Sequence, residues 1–164
     1  MRNVKMKSYP LVFEGGLTNR QATNKFIIHH TGNPTDDDCS AESIHQSHID
    51  NNGWAGIGYH YVVRKDGTIE VGRPHWTIGA HAFGSNKDTI GIHVCGNFDI
   101  GKPTKEQIES LALLLAKLGL DYGLDMDREH VKAHSEVYST ACCGKNLFNK
   151  LQEVCGKAIW YQLN

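Results

Sequence analysis

The chain has no long apolar run. Nowhere do 18 apolar residues follow one another, so no segment reads as a membrane-spanning helix. It also lacks a surplus of one charge: 17 Lys and Arg stand against 18 Asp and Glu, for a formal net charge of −1. These residues are mixed along the chain without a basic stripe, which removes the electrostatic footprint of a nucleic-acid or anionic-membrane binder. No repeat, low-complexity stretch or linker divides the sequence. The N-terminal MRNVKMKSYPLVFEGG is basic but lacks the apolar stretch of a signal peptide. Five cysteines, at 39, 95, 142, 143 and 155, are an odd number whose spacing does not describe a disulfide framework. Together these two absences lead to the expectation of a chain made in a reducing cytoplasm.

What remains is a globular balance. Hydrophobic residues make up 40% and charged residues 21% of 164 positions, enough to bury roughly 70% of the unfolded surface in one domain. Residues 1–24 read as loop. KFIIHHT (25–31) is a β-branched run that reads as a buried strand. Ser40 is placed to cap a helix over SAESIHQSHIDNN that Gly53 would close. Two alternating runs in IGYHYVVRKDGTIEVGR (57–73) flank Asp66 and Gly67, a pair preferred in tight hairpin turns. TIGIHVCGNF (89–98) predicts another strand. Thr104 and Gln107 form a capping box for a helix whose apolar face, Ile108, Leu111, Leu115 and Leu118, runs to Gly119. VKAH (131–134) predicts a short strand and NLFNKLQEVCGKAI (146–159) a last helix. Strands interleaved with helices predict an α/β domain, 1–164, with a central mixed sheet flanked by helices.

Ten histidines are the unusual supply, and KAHSEVYSTACCGKNL (132–147) concentrates the question: His134 precedes Cys142 and Cys143 by a few residues. A disulfide between the adjacent cysteines is disfavoured, because consecutive Cα atoms lie about 3.8 Å apart and bridges usually span roughly 4.4 Å or more. A cysteine nucleophile with a histidine base is chemically sound. So is a metal site, since imidazole and thiolate both ligate zinc and a catalytic zinc takes three protein ligands. The third ligand would come from His29 or His30. Neighbouring strand residues face opposite ways, so one of the two can enter a given site, and spacing does not say which.

FIIHHTG, GWAGIGYHYVVRKDGTIEVGR, IGAHAFGSN, TIGIHVCGNF and AHSEVYSTAC occur in that order between about Lys25 and Leu151. Together they resemble the zinc-dependent N-acetylmuramoyl-L-alanine amidases, the family of amidase-type bacteriophage lysozymes and animal peptidoglycan recognition proteins. The resemblance implies that His29, His134 and Cys142 hold Zn, that Tyr59 is catalytic and that Thr140 assists it. It places His81 and Asn86 on a groove wall that touches glycan or peptide. His45 and His48 are expected to be packing or surface residues of their helix, His60 and His93 to be structural, and Trp54 to pack in the core. Cys143 stands where relatives commonly have proline, and no function follows from it.

The implied activity is hydrolysis of the amide between N-acetylmuramic acid and L-alanine in bacterial peptidoglycan, by a phage or prophage endolysin or an autolysin acting on the cell wall after release. The implied partner is a muramyl peptide, bound by a monomer, with no nucleic acid and no membrane. The rival readings are a non-catalytic peptidoglycan-binding module of the same fold and a hydrolase with a cysteine nucleophile.

Overall fold

The computed structural model describes residues 1–164 apart from Asn33. In chain order run β1 (Lys25–His30), α1 (Ala41–Asn52), β2 (Tyr61–Val63), β3 (Ile69–Val71), β4 (Thr89–Val94), α2 (Lys105–Tyr122), β5 (Val131–Ala133), α3 (Lys145–Phe148) and α4 (Leu151–Leu163). Short 3₁₀ turns occupy Asn86–Asp88 and His134–Glu136. The sheet order is β3-β2-β4-β1-β5. β1 runs parallel to β4 and β5, β2 runs parallel to β4, and β2 and β3 form the antiparallel hairpin. This is the mixed sheet that the interleaved pattern predicts.

Local chemistry sets the boundaries. Ser40 and Ser43 exchange capping hydrogen bonds at the start of α1, and Gly53 closes that helix at φ 68°. In the hairpin turn, Asp66 Oδ1 accepts from Thr68 N at 2.9 Å. Thr104 and Gln107 form the capping box of α2. That helix passes through Gly119 and ends at Tyr122, three residues beyond the expected stop. The glycine serves packing, since a Cβ there would lie 2.6 Å from Met126 Cε and 3.0 Å from Leu124 O. The last helical stretch is broken into α3 and α4 around Asn149 and Lys150, and α4 runs on to Leu163.

The sheet is covered on both faces, which is why its central strands read as unbroken apolar runs. Phe26, Ile28, Ile90, Ile92 and Val94 pack under Leu111, Leu115 and Leu118 of α2 and Leu151 and Val154 of α4. Alternation along the strands sends His29 and His93 to the opposite face, which carries the smaller cluster of Ala41, Ile57, Val62 and Cys95. A buried carboxylate fastens that face together. Glu70 has no solvent exposure and accepts from Tyr9 Oη at 2.5 Å, Ala41 N at 2.8 Å and Arg64 Nη1 at 3.1 Å. Its charge therefore lies at the first turn of α1, where the helix dipole favours an anion.

Two expectations are corrected here. Cys39 and Cys95 form a disulfide across 56 residues, tying the segment before α1 to the residue after β4. A bridge between positions so far apart leaves no local spacing signal. Trp54 is 40% exposed and packs edge-on against His48, so it is a surface aromatic and not a core residue.

The bridge closes a loop whose entropy is worth about 4 kcal/mol in the chain-entropy treatment. Reduction, or the Cys39→Ala/Cys95→Ala pair, is expected to lower the unfolding free energy by up to that amount in urea titrations. A loss below about 1 kcal/mol would contradict it. Acid sensitivity is the second expectation. Burial pushes the imidazoles of His60 and His93 down to about 3. The unfolded chain protonates them near 6.5 while the folded chain does not, so stability falls as pH drops from about 6.5 towards 3. Each group contributes roughly 1.4 kcal/mol per pH unit in that window. Metal-free protein should lose stability steeply between pH 6.5 and 5; equal unfolding midpoints at those pH values would contradict the assignment.

Candidate active site

β1 delivers its two terminal histidines to opposite sides of the sheet. His30 faces the α2–α4 layer, where its Nδ1 accepts from Phe98 N at 3.0 Å. His29, 1% exposed, faces the other way, with Nδ1 3.7 Å from Cys142 Sγ and Nε2 2.9 Å from His81 Nδ1. The choice that spacing leaves open is thus settled by sheet alternation in favour of His29 as the histidine that meets Cys142.

β5, parallel to β1, ends at Ala133 and hands the chain directly to His134 at the start of a 3₁₀ turn. Glu136 fixes that turn by accepting from Ala133 N at 2.9 Å and pairing with Arg128. The His134 ring lies 4.5 Å from that of His29, with Tyr138 stacked on it at 5.7 Å. Cys142 is fastened to both strand ends: its carbonyl accepts from Ser135 N at 2.6 Å, and its sulfur accepts from His30 N at 3.3 Å. The ligand atoms of His29, His134 and Cys142 all lie within 4.8 Å of one another. Cys143 points into the main core and is 1% exposed.

The electrostatics of this trio favour a cation over a nucleophile. Burial, helped by the neighbouring histidines, holds the His29 imidazole well below 6.5, and burial lowers His134 as well. Burial also pushes the Cys142 thiol up to about 12. No imidazolium stands by to stabilise a bare thiolate, as nucleophilic cysteines require. His134 Nε2 is buried without a hydrogen-bond partner. Two neutral imidazoles and a thiol that needs a positive charge to ionise are a donor set for a metal ion.

Tyr59 lies on the extended segment leading into β2. Its ring sits 4.5 Å from His93 and 5.0 Å from His29, and burial, with the charge of Cys142, raises its hydroxyl well above 10.0. Arg73, buried and unflagged by any sequence signal, holds the surrounding loops through Ile57 O at 2.9 Å and Ile78 O at 3.0 Å. Thr140 is exposed and accepts from Cys142 N at 3.3 Å, shaping the turn into the cysteine.

The remaining histidines are engaged within the protein. His45 accepts from Ile57 N, His48 from Gly58 N and His60 from Gly91 N, each at 3.0 Å. His93 Nε2 meets Thr31 Oγ1 at 3.0 Å, while its Nδ1 is buried and unpartnered. His81 and Asn86, expected on a groove wall, both make hydrogen bonds within the protein. His81 is 8% exposed with both ring nitrogens engaged, by His29 and by Thr89 Oγ1 at 3.2 Å. Asn86 Oδ1 accepts from His81 N at 2.9 Å and Ala82 N at 2.8 Å.

Comparison with known proteins gives this geometry a setting. The N-acetylmuramoyl-L-alanine amidase family profile matches residues 19–145. An endolysin of Enterobacteria phage K11 is 32% identical over 131 residues, covering 77% of this chain and 83% of that one. The N-acetylmuramoyl-L-alanine amidase LysC from Clostridium intestinale superposes with TM-score 0.82 at 33% identity, over 91% of this chain and 95% of its own. Peptidoglycan recognition protein LE, solved with tracheal cytotoxin, a monomeric diaminopimelic acid-type peptidoglycan, superposes with TM-score 0.75 at 27% identity, over 87% of each chain. With its mixed sheet and its His, His and Cys donors at the strand ends, the chain belongs to the N-acetylmuramoyl-L-alanine amidase family and is an enzyme of that class.

Proposed function

We propose that this chain, acting as one catalytic domain, cleaves the amide joining N-acetylmuramic acid to the L-alanine of the stem peptide, using zinc held by His29, His134 and Cys142. The observation that carries the reading is the convergence of those three donors, from three distant segments, to within 4.8 Å of one another. The His29–Cys142 spacing fits zinc. With Zn–N near 2.0 Å and Zn–S near 2.3 Å at tetrahedral angles, such donors sit about 3.5 Å apart. His29 Nδ1 and Cys142 Sγ are 3.7 Å apart. Held by these residues, a zinc ion would supply Lewis acidity for the amide carbonyl and would lower the pKa of a water towards about 7.

The protein's own groups then divide the remaining work. Tyr59 is protonated through the neutral range, as any phenol is, and burial raises its hydroxyl further. It can therefore donate a hydrogen bond to the oxygen that becomes negative when the scissile carbonyl turns tetrahedral. Thr140, two residues before Cys142, offers a second hydroxyl but no positive charge. The His29 and His134 rings remain neutral acceptors, and the Cys142 thiol gives up its proton when the ion is bound. The substrate is a muramyl peptide of the bacterial wall, and the biological setting that fits is an endolysin or autolysin. Among the described residues no helix is long and apolar enough to cross a membrane.

Digestion of purified peptidoglycan tests this directly, with new N-terminal alanine as the readout. Release should vanish when the protein is stripped by a chelator and return with zinc. Tyr59→Phe should bind zinc normally yet lose about 10² to 10⁴ in rate, the usual contribution of one positioned acid–base group. Release that survives zinc removal would overturn the metal mechanism, and no release by the zinc-loaded protein would favour a binding module. The rival nucleophile has its own test. In folded metal-free protein at pH 7.5, Cys142 should react with iodoacetamide at least about 10²-fold slower than free cysteine, because its thiol is raised so far; fast labelling would contradict this.

A further inference from the structure

The expected zinc-facing atom of His29 is one nitrogen of a ring that can carry its proton on either. What decides the tautomer is a chain of three hydrogen bonds running away from the site: His29 Nε2 to His81 Nδ1 at 2.9 Å, His81 Nε2 to Thr89 Oγ1 at 3.2 Å, and Thr89 Oγ1 to Ser85 O at 2.7 Å. Distances between ring nitrogens do not orient protons, but the end of the chain does. A backbone carbonyl can only accept, so the single hydroxyl proton of Thr89 points at Ser85 O. Thr89 Oγ1 must then accept from His81, which puts the His81 proton on Nε2. A neutral His81 has no second proton, so its Nδ1 accepts from His29. The His29 proton is thereby placed on Nε2, and Nδ1 is left bare towards Cys142.

We propose that His81 is a positioning residue, which together with Thr89 and the Ser85 carbonyl fixes His29 in the tautomer whose bare Nδ1 faces Cys142 and His134. Neither ring has a carboxylate partner among the described residues, so the relay carries no charge of its own. Metal-bound histidines usually rest their second nitrogen on a carboxylate, a carbonyl or water. Here a neutral imidazole does it, and the carbonyl stands two links further out. The packing around His81 is built for that ring. Gly79 and Gly91 flank it so closely that a Cβ would lie 2.7 Å from His81 Cδ2 at the first and 2.6 Å from His81 Nδ1 at the second. The ring stands edge-on to His29 at 5.0 Å and 87°. Asn86 holds the backbone of residues 81 and 82 from the other side. Thr89 is 2% exposed, so water does not compete for its hydroxyl.

The consequence for metal binding rests on the zinc reading above, whereas the tautomer does not, and the experiment separates them. Long-range ¹H–¹⁵N correlation spectra of the metal-free protein report which nitrogen of His29 carries the proton. The expected result is Nε2–H in the parent chain and in His81→Asn, whose Oδ1 can replace Nδ1 as acceptor. A mixture of tautomers, or Nδ1–H, is expected in His81→Leu and in the near-isosteric Thr89→Val. Zinc affinity, measured by competition with a chromophoric chelator, should fall about 10- to 100-fold in His81→Leu and by less in His81→Asn, the usual range for loss of such a partner. A parent His29 protonated on Nδ1 would overturn the proposal, even if His81→Leu fails to fold. So would a folded His81→Leu that keeps parental zinc affinity. If the parent chain binds no zinc at all but shows Nε2–H, the relay stands and the metal reading fails.

Discussion

A strand buried on both faces carries an imidazole at a cost unless its ring nitrogens find partners, because a buried polar atom left alone costs as much as a lost hydrogen bond. β1 ends in two histidines under that constraint, and the site follows from how each one meets it. His30 turns to the helical layer and takes the backbone N–H of Phe98. His29 turns to the other face, gives one nitrogen to His81 and leaves the second facing Cys142. The same constraint explains why His45, His48 and His60 each accept from a backbone N–H nearby. Two buried ring nitrogens go without a partner, His93 Nδ1 and His134 Nε2, and the second stands beside His29 in the same cluster.

The parallel strands bring these side chains together. β1 and β5 are neighbours running in one direction, so His29 and His134 emerge at the same edge although more than a hundred residues separate them. Cys142 returns to that edge because its carbonyl and its sulfur are both bonded to backbone N–H groups there. Its neighbour Cys143 is carried into the core, where burial keeps the thiol protonated. One of the paired cysteines thus serves the site and the other serves packing.

Much of this was legible in the sequence because it is local. The capping boxes at Ser40 and Thr104 and the Asp66–Gly67 turn are short-range signals, and each appears where its residues predict. The grouping of His29, His134, Cys142 and Tyr59 came from the ordered blocks of the family resemblance, not from spacing, which left His29 and His30 equivalent. What was not legible depends on distant partners. Nothing local in the sequence marks Glu70, whose role depends on Tyr9, Ala41 and Arg64 converging on it. Cys39 and Cys95 meet only after the sheet has formed. The resemblance places His81 on a groove wall, and no local signal tells that its ring occupies space left by Gly79 and Gly91. Gly119 reads as a helix stop, whereas the helix runs through it and the missing side chain makes room for Met126 and Leu124.

The central claim is that one thiolate, from Cys142, and two imidazoles hold a single metal ion. Cobalt(II) reports it most directly, because a thiolate ligand gives cobalt a charge-transfer absorption that nitrogen and oxygen ligands do not. The cobalt-loaded protein should show that absorption together with the visible bands of a four-coordinate ion. The bands should persist in Cys143→Ser and disappear in Cys142→Ser. Absorption that follows Cys143, or the absence of any thiolate band in the cobalt-loaded parent chain, would contradict the account.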